Sequence, residues 1–360
     1  MSSLLLPDGR RARIVAELRA RGMLRVNELA DLMGVAPVTL RRDMAKLASE
    51  GVIRRLHGGA VLVDAVDAAP EVVSPSVRVG MLVPSLDFYW PEVIKGAQEV
   101  AEQHAATLML RGTTYEDTDY RVHAEHLLDS GVNALLLAPD VNNPDAQALL
   151  EWLHDTRVPV VLVEREAVLA STALPYESVT TDHMAGAGAA VRHLAALGHR
   201  RVGLVTNPRS PHRDEISRGW ASAVGDCGLD SDAFTSDLRR PPPGDDGAEV
   251  AALTRACLQS GTTALLVHAD REAIAIVQHC QRQGVSIPGE ISIVAYDDEV
   301  AGLFSPPLTA VRPPRTSIGR AAMHLVLERL ADTGRPAHRV VITPKLNVRE
   351  STGSPPPQHA

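Results

Sequence analysis

Three groups of side chains in this sequence have the types and spacing to do chemistry. The first is basic: Thr39, Arg41, Arg42 and Lys46, followed by Arg54, Arg55 and His57. Guanidinium forks gathered this closely suit phosphate oxygens and guanine edges, whereas a merely solvated helix face is the plainer reading of such a pair. The second is Asp87-Phe88-Tyr89-Trp90, three aromatics together in a chain that is only 3% aromatic. Flat rings suit the apolar face of a sugar or a base, and Asp87 can accept hydrogen bonds from hydroxyls. Packing of Tyr89 or Trp90 inside a domain is the alternative. The third is Glu164-Arg165 at the end of an apolar run, where the planar guanidinium can bridge two hydroxyls or hold a carboxylate or phosphate. A salt bridge would use the same pair.

Other groupings carry less. No nucleophile–base pairing stands out, so the expectation is a protein that is not an enzyme and needs no cofactor or metal. His123, Glu125 and His126 read as a solvated helix face rather than metal ligands. Gly186-Ala187-Gly188 lacks the third glycine of a dinucleotide loop, Val191 standing there, and falls inside a helix, where it reads as helix–sheet packing. Asp297-Asp298-Glu299 follows a strand and reads as turn and hydrogen-bonding residues. Asp182 reads as a helix N-cap.

The basic group must be positioned by short elements. From Val38 to Ser49, Leu40, Met44 and Leu47 recur at i, i+4 and i+7, so they share one buried stripe and leave Arg41, Arg42 and Lys46 outward. Gly51 suits the left-handed turn past that helix. Val52–Leu56 and Ala60–Val63 read as two strands joined at His57-Gly58-Gly59. Upstream, Arg10–Arg21 reads as a helix with Ile14, Val15 and Leu18 inward, and Asn27 as the N-cap of a helix through Met33. A basic helix followed by a basic hairpin is how a winged helix-turn-helix meets duplex DNA.

Charge divides the chain in the same place. Residues 1–63 hold 11 Lys+Arg against 6 Asp+Glu, and the remainder 25 against 38, within a net of −8. A basic head on an acidic body fits a head that meets phosphate and a body that does not. No apolar run approaches the ~20 residues of a membrane span, and no secretion signal is read at the start. Three scattered cysteines, Cys227, Cys257 and Cys280, fit reduced thiols, so a cytoplasmic location is expected.

Residues 64–76 (DAVDAAPEVVSPS) read as a linker. From Val77 the pattern becomes strand-then-helix. One series of strands is Val77–Val83, Thr107–Leu110, Ala134–Ala138, Val158–Val163 and Val179–Thr181. A second is Val202–Thr206, Ala264–His268 and Ile291–Ala295. Two such series imply an α/β body of two lobes with parallel sheets, with a ligand cleft at the carboxyl ends of the strands. The tail, residues 351–360, reads as disordered.

Two resemblances sharpen this. The run RRARIVAELRARGMLRVNELADLMGVAPVTLRRDMAKLASEGVIRRLHGGA, about residues 10–62, resembles the DeoR-type DNA-binding head, carried by TLRRD…L…G…R.HGGA. Ala36 stands where that family usually has a capping serine, a loss of about 1 kcal/mol partly offset by Pro37. Residues 77–350 resemble the effector domain of LacI/GalR-type repressors, which is similar to periplasmic sugar-binding proteins. The carriers are VERE…VTTDHMAGAGAAVRHLAALGHRRVGLVT, then ALLVHADREAIAIVQHCQRQGVSIPGEISIVAYDDEVAGLFSPPLTAVRPP, and LNVREST.

The resemblance implies a domain order of 1–63 winged helix-turn-helix, 64–76 linker, 77–350 sensor and 351–360 tail. It implies a transcriptional repressor of carbohydrate-utilisation genes that binds operator DNA as a homodimer through its sensor domain and responds to a sugar-like effector. Tyr89, Trp90 and Arg165 match family positions that line the ligand cleft, as does Asp270, which could instead cap the helix from Arg271. Where the family places an arginine three residues before Gly219, this chain has Ile216, with Arg213 or Arg218 as possible substitutes. The hinge helix that joins head and body in the family has no counterpart in residues 64–76. A sugar-binding transport receptor, or a regulator that answers to a nucleoside or sugar phosphate, are the rival readings. An enzyme acting on sugars would be revealed by turnover.

Overall fold

A computed structural model describes residues 7–21, 23–33, 35–50, 52–56, 59–62, 77–113, 119–141, 143–238 and 247–357. The chain divides into two compact units, Met1–Ser76 and Val77–Ala360. The linker expected at 64–76 and the turn residues His57 and Gly58 lie outside the described residues.

The first unit contains helices α1 (Pro7–Arg21), α2 (Val26–Met33) and α3 (Pro37–Ser49), with strands β1 (Met23–Arg25), β2 (Ile53–Leu56) and β3 (Gly59–Leu62). The strands form one antiparallel sheet in the order β1-β3-β2. Its core is Ile14, Leu18, Leu29, Ala30, Leu40, Met44, Leu47 and Ile53, so the i, i+4, i+7 stripe of α3 is what the helix buries. No side chain caps α3 at Ala36, but Pro37 opens the helix and the Ala36 carbonyl accepts from the Thr39 amide at 3.0 Å.

The second unit has two sheets. The first lobe orders its strands β14 (Arg339–Ile342), β8 (Glu177–Thr181), β7 (Val160–Val163), β6 (Ala134–Leu137), β4 (Val77–Val83) and β5 (Ala106–Gly112), every pair parallel. The second lobe orders β10 (Thr235–Asp237), β9 (Val202–Thr206), β11 (Ala264–Val267), β12 (Ser292–Tyr296), β13 (Thr309–Arg312) and β15 (Lys345–Asn347); only the β13–β15 pair is antiparallel. β6, β7, β9, β11 and β12 are buried at every position, which explains their unbroken apolar runs.

Helices cover both faces of each sheet. In the first lobe, α4 (Tyr89–Gln103) and α11 (Arg315–Ala331) lie on one face, with α5 (Tyr120–Asp129) and α6 (Pro144–Thr156) on the other. In the second, α7 (His183–Ala196) and α8 (Arg213–Asp226) face α9 (Ala248–Gln259) and α10 (Asp270–Gln283) across the sheet. The chain therefore crosses between lobes after β8, after β13 and after β14. Gly96 of α4 and Gly319 of α11 permit a near approach of backbones: a Cβ on Gly319 would stand 1.9 Å from the Val93 carbonyl oxygen.

The expectation of a free tail from Ser351 is corrected. Ser351 is fully buried; its hydroxyl donates to the Ile293 carbonyl at 2.5 Å and its own carbonyl accepts from the Ile293 amide at 2.8 Å. His199 contacts the Gly353 carbonyl at 2.9 Å. The segment completes hydrogen bonds of the second lobe, which its polar composition concealed.

Candidate functional site

In the first unit the basic side chains that are described stand outward. Arg41, Arg42 and Lys46 are exposed on α3 and Thr39 is half-buried. Lys46 approaches Glu50 one turn on at 3.3 Å. The buried Asp43 is held by Arg10 at 2.7 Å, which ties α1 to α3 and leaves the neighbouring arginines outward. Arg54 and Arg55 lie on β2; His57 lies outside the described residues.

In the second unit a cleft of about 1180 Å³ opens at the carboxyl ends of six strands. Pro84 follows β4, Pro139 and Asp140 follow β6, and Glu164 and Arg165 follow β7. Across from them, Asn207 to His212 follow β9, His268 follows β11 and Asp297 follows β12. Parallel strands leave their loops free at this edge, so ligand-binding groups collect there. Glu164 and Asp297 also hold φ values of 56° and 91°. Left-handed backbone at non-glycine residues costs about 1–3 kcal/mol and gathers at functional sites.

The floor is polar and nearly dry. Glu164 is 1% exposed. Its Oε1 accepts from the Tyr89 hydroxyl and, at 2.7 Å, from the Thr181 hydroxyl; Oε2 accepts from the Thr181 amide at 2.9 Å. Burial alone would raise this carboxyl, but His183, Tyr89 and the Thr181 amide together hold it below the ordinary carboxylate value. His183 Nε2 lies 3.7 Å from Glu164 Oε2, and its ring stacks on His212 with centroids 3.9 Å apart. Burial pushes His212 well below the usual imidazole value, with His183 and Arg165 adding to the effect. Burial likewise takes His268 down to about 3. Asp297 moves the other way, well upward, because burial is joined by the charges of Asp270 and Glu299. The floor therefore holds His212 and His268 as neutral imidazoles near an ionised Glu164.

Of the six effector residues expected from sequence, Tyr89, Trp90 and Arg165 line this cleft. Trp90 is 2% exposed and also packs the first lobe, so both alternatives hold for it. The Arg165 guanidinium is anchored by the carbonyls of Pro139 at 2.9 Å and Glu164 at 2.6 Å, and reaches His212 Nε2 at 3.3 Å.

The other three are placed elsewhere. Asp87 is exposed in the turn before α4, its amide bonded to the Ser85 hydroxyl at 2.9 Å. Arg213 makes a two-pronged bond to Asp237 at 3.1 and 3.0 Å, beside β10 and away from the cleft. Asp270 is turned to the loop after β12: its carboxylate accepts from the amides of Asp298, Glu299, Val300 and Ala301 at 2.7–3.2 Å. A carboxylate with four such donors is an anchor for that turn, and it does not line the cleft.

His183, His212, His268 and Asn207 were missed in the sequence. The signal was present in part: Asn207 is the first residue past the strand read at Val202–Thr206, and His268, read as the last residue of Ala264–His268, stands just past the observed strand. Asp182 caps α7 through the Ala185 amide at 2.8 Å, which fixes the orientation of His183 beside it. Gly186 packs against Tyr296, as expected of a helix–sheet contact. Asp298 bonds Arg349 and Asn347, and the Asp297 carbonyl accepts from Arg315 at 2.6 Å, so this turn is a hydrogen-bonding hub.

Comparison with known proteins agrees with both units. The DeoR-like helix-turn-helix domain family matches residues 10–66, and the periplasmic binding protein-like domain family matches residues 191–352. The HTH-type transcriptional repressor PurR of Photobacterium profundum is 24% identical, over 91% of this chain and 98% of its own. The HTH-type transcriptional regulator MalR of Streptomyces coelicolor is 29% identical, over 77% of this chain and 81% of its own. Among solved structures, a LacI family transcriptional regulator from Enterococcus faecium with bound ribose shares the fold, with a TM-score of 0.63 and 20% identity over 77% of this chain and 98% of that one.

Proposed function

This chain is a LacI/GalR-type transcriptional regulator with a DeoR-like helix-turn-helix head, and from that premise we propose a repressor of carbohydrate-utilisation genes whose cleft binds a sugar-like effector. It acts in the cytoplasm, as a homodimer joined through the sensor domain on a two-fold operator. Arg41 and Arg42 are the base- and phosphate-contacting pair on α3. Thr39, Lys46, Arg54, Arg55 and His57 position the head on the backbone. The observation that carries the reading is one chain holding a helix with exposed arginines and a cleft built from strand ends.

Tyr89 and Trp90 offer ring faces to the effector, while Arg165, Asn207 and Asp297 offer polar groups. The ribose held by the Enterococcus faecium protein supports a sugar for this cleft. Contacts that bridge the lobes would register closure. Arg271 of α10 lies over the Phe88 ring at 3.8 Å, and Glu92 of α4 accepts from Arg312 of β13 at 3.0 Å. The effector alters DNA affinity only by binding one lobe arrangement more tightly than the other.

A thermal-shift screen of the full chain against sugars, sugar phosphates and nucleosides tests the effector class. A rise in Tm with a free sugar, lost in Arg165→Ala, supports the reading. A response to sugar phosphates or nucleosides alone would replace it with those rivals.

A further inference from the structure

We infer that the cleft floor is a binding site for a divalent transition-metal ion, held by Glu164, His183 and His212 in one sensor unit. One ligand atom from each of the three lies within 4.8 Å of the others. A tetrahedral zinc site places donors about 2.0–2.2 Å from the ion, hence roughly 3.3–3.5 Å from one another. The Glu164–His183 pair at 3.7 Å is already near that spacing, and closing the third ligand takes a shift of up to about 1.5 Å with a turn of the His212 ring.

Each ligand is oriented by a partner, as metal-binding groups usually are. Glu164 receives the three bonds described above, which leave Oε2 turned to His183. His183 Nδ1 lies 3.1 Å from the Tyr296 hydroxyl, whose own proton goes to the His183 carbonyl at 3.4 Å. With the ring proton held on Nδ1 by that network, Nε2 presents its lone pair to an ion, and any proton it shares with Glu164 leaves on binding. The Nε2 atom is buried and has no hydrogen-bond partner among the described residues. His212 Nδ1 faces Glu215 Oε2 at 3.3 Å, so its proton also sits away from the site and Nε2 is the donor atom.

Charge points the same way. A carboxylate that is 1% exposed has no arginine or lysine at ion-pair distance among the described residues; His183 is its ionic neighbour. A buried charge without a permanent counter-charge is costly, and a bound cation would neutralise it. Two imidazoles with one carboxylate select a borderline ion such as zinc, nickel or cobalt over magnesium or calcium, which prefer all-oxygen shells. Glu164 and His212 both line the cleft, so a fourth position faces it, open to water or to a hydroxyl of the effector. Binding has two opponents: the stack of His183 on His212, which must open so that both Nε2 atoms can face one ion, and Arg165 Nη1, now 3.3 Å from His212 Nε2, which must release that nitrogen while keeping the Pro139 and Glu164 carbonyls.

The inference is independent of the effector's identity, and its test uses neither sugar nor DNA. The full chain, stripped with chelator, is titrated with zinc chloride by calorimetry, and separately with cobalt(II) by visible absorption. The expected result is one ion per chain and an intense cobalt spectrum of tetrahedral type. His183→Gln and His212→Gln should each weaken zinc by more than about 10-fold. Arg165→Gln, which removes the competing cation, should strengthen it. The control His123→Gln/His126→Gln should leave binding unchanged. Should a histidine variant fail to fold, the wild-type titration and the Arg165→Gln shift still decide. No one-to-one zinc binding by the wild type, or wild-type affinity in both ligand variants, overturns the site.

Discussion

Arg41 and Arg42 are adjacent and exposed on one helix, yet they point about 100° apart around its axis, so the proposed DNA reading assigns them to different parts of a groove. Arg41→Ala should weaken binding to a selected operator by roughly 1–3 kcal/mol and relax preference at one base position. Mobility-shift titration on the operator and its single-base variants reads this; an equal loss on every duplex would assign Arg41 to phosphate. Asp270 is a different kind of residue. Its type and place after a strand were legible, but its direction was not, because four amides from a loop 28 residues away capture the carboxylate. Asp270→Ala leaves those amides without their acceptor and should lower stability by about 1–3 kcal/mol in a denaturant melt. An unchanged melt would refute the anchoring role.

The buried imidazoles make stability depend on pH. His268 is held at about 3 in the folded chain against 6.5 ordinarily, and His212 shifts in the same direction. The unfolded chain takes up these protons first as pH falls, so the stabilisation is complete above pH ~6.5 and is lost between there and about 3. Each such group steepens the loss by up to about 1.4 kcal/mol per pH unit. Denaturant melts at pH 7.5 and 5.5 should show the fall, and His268→Asn should flatten it. A pH-independent midpoint in the wild type would contradict the neutral floor.

At the scale of elements, β4, β6, β7, β9, β11 and β12 were legible because strands covered on both faces must be continuously apolar. The short strands β10, β13, β14 and β15 were not. β14 and β15 are exposed or half-buried at every position, and their conformation comes from pairing with β8 and β13. Helix packing was also hidden in part. Gly96 and Gly319 look like ordinary helix-weakening glycines until α4 and α11 are laid together. Gly319→Ala forces a methyl against the Val93 carbonyl and should destabilise the chain by about 1–3 kcal/mol or more, read as a lowered Tm. A Tm equal to the wild type would show that the helices separate without cost.

For the molecule as a whole, the charge step at residue 63 and the change of periodicity at Val77 marked two units, and the compact units meet at Ser76–Val77. The cleft's location followed from topology, but its chemistry did not. Histidines 183, 212 and 268 come from three strand ends distant in sequence, and only the opposition of two sheets brings them to one floor. Three chain crossings join the lobes, so ligand that favours one lobe arrangement acts on both sheets at once. Residues 64–76, between the two runs, are mostly Ala, Val, Pro and acidic residues, without apolar periodicity.

The central claim is that the basic head reads sequence and that the cleft governs it. The most direct measurement is selection of duplexes from a random pool by the full chain, followed by competition titration of the enriched duplex with and without the sugar found by thermal shift. The account predicts an enriched two-fold site, preferred over random competitor by at least about 1000-fold, with an affinity that changes when the sugar is added. No enrichment at low salt, or an enriched site whose affinity ignores a bound sugar, would contradict it.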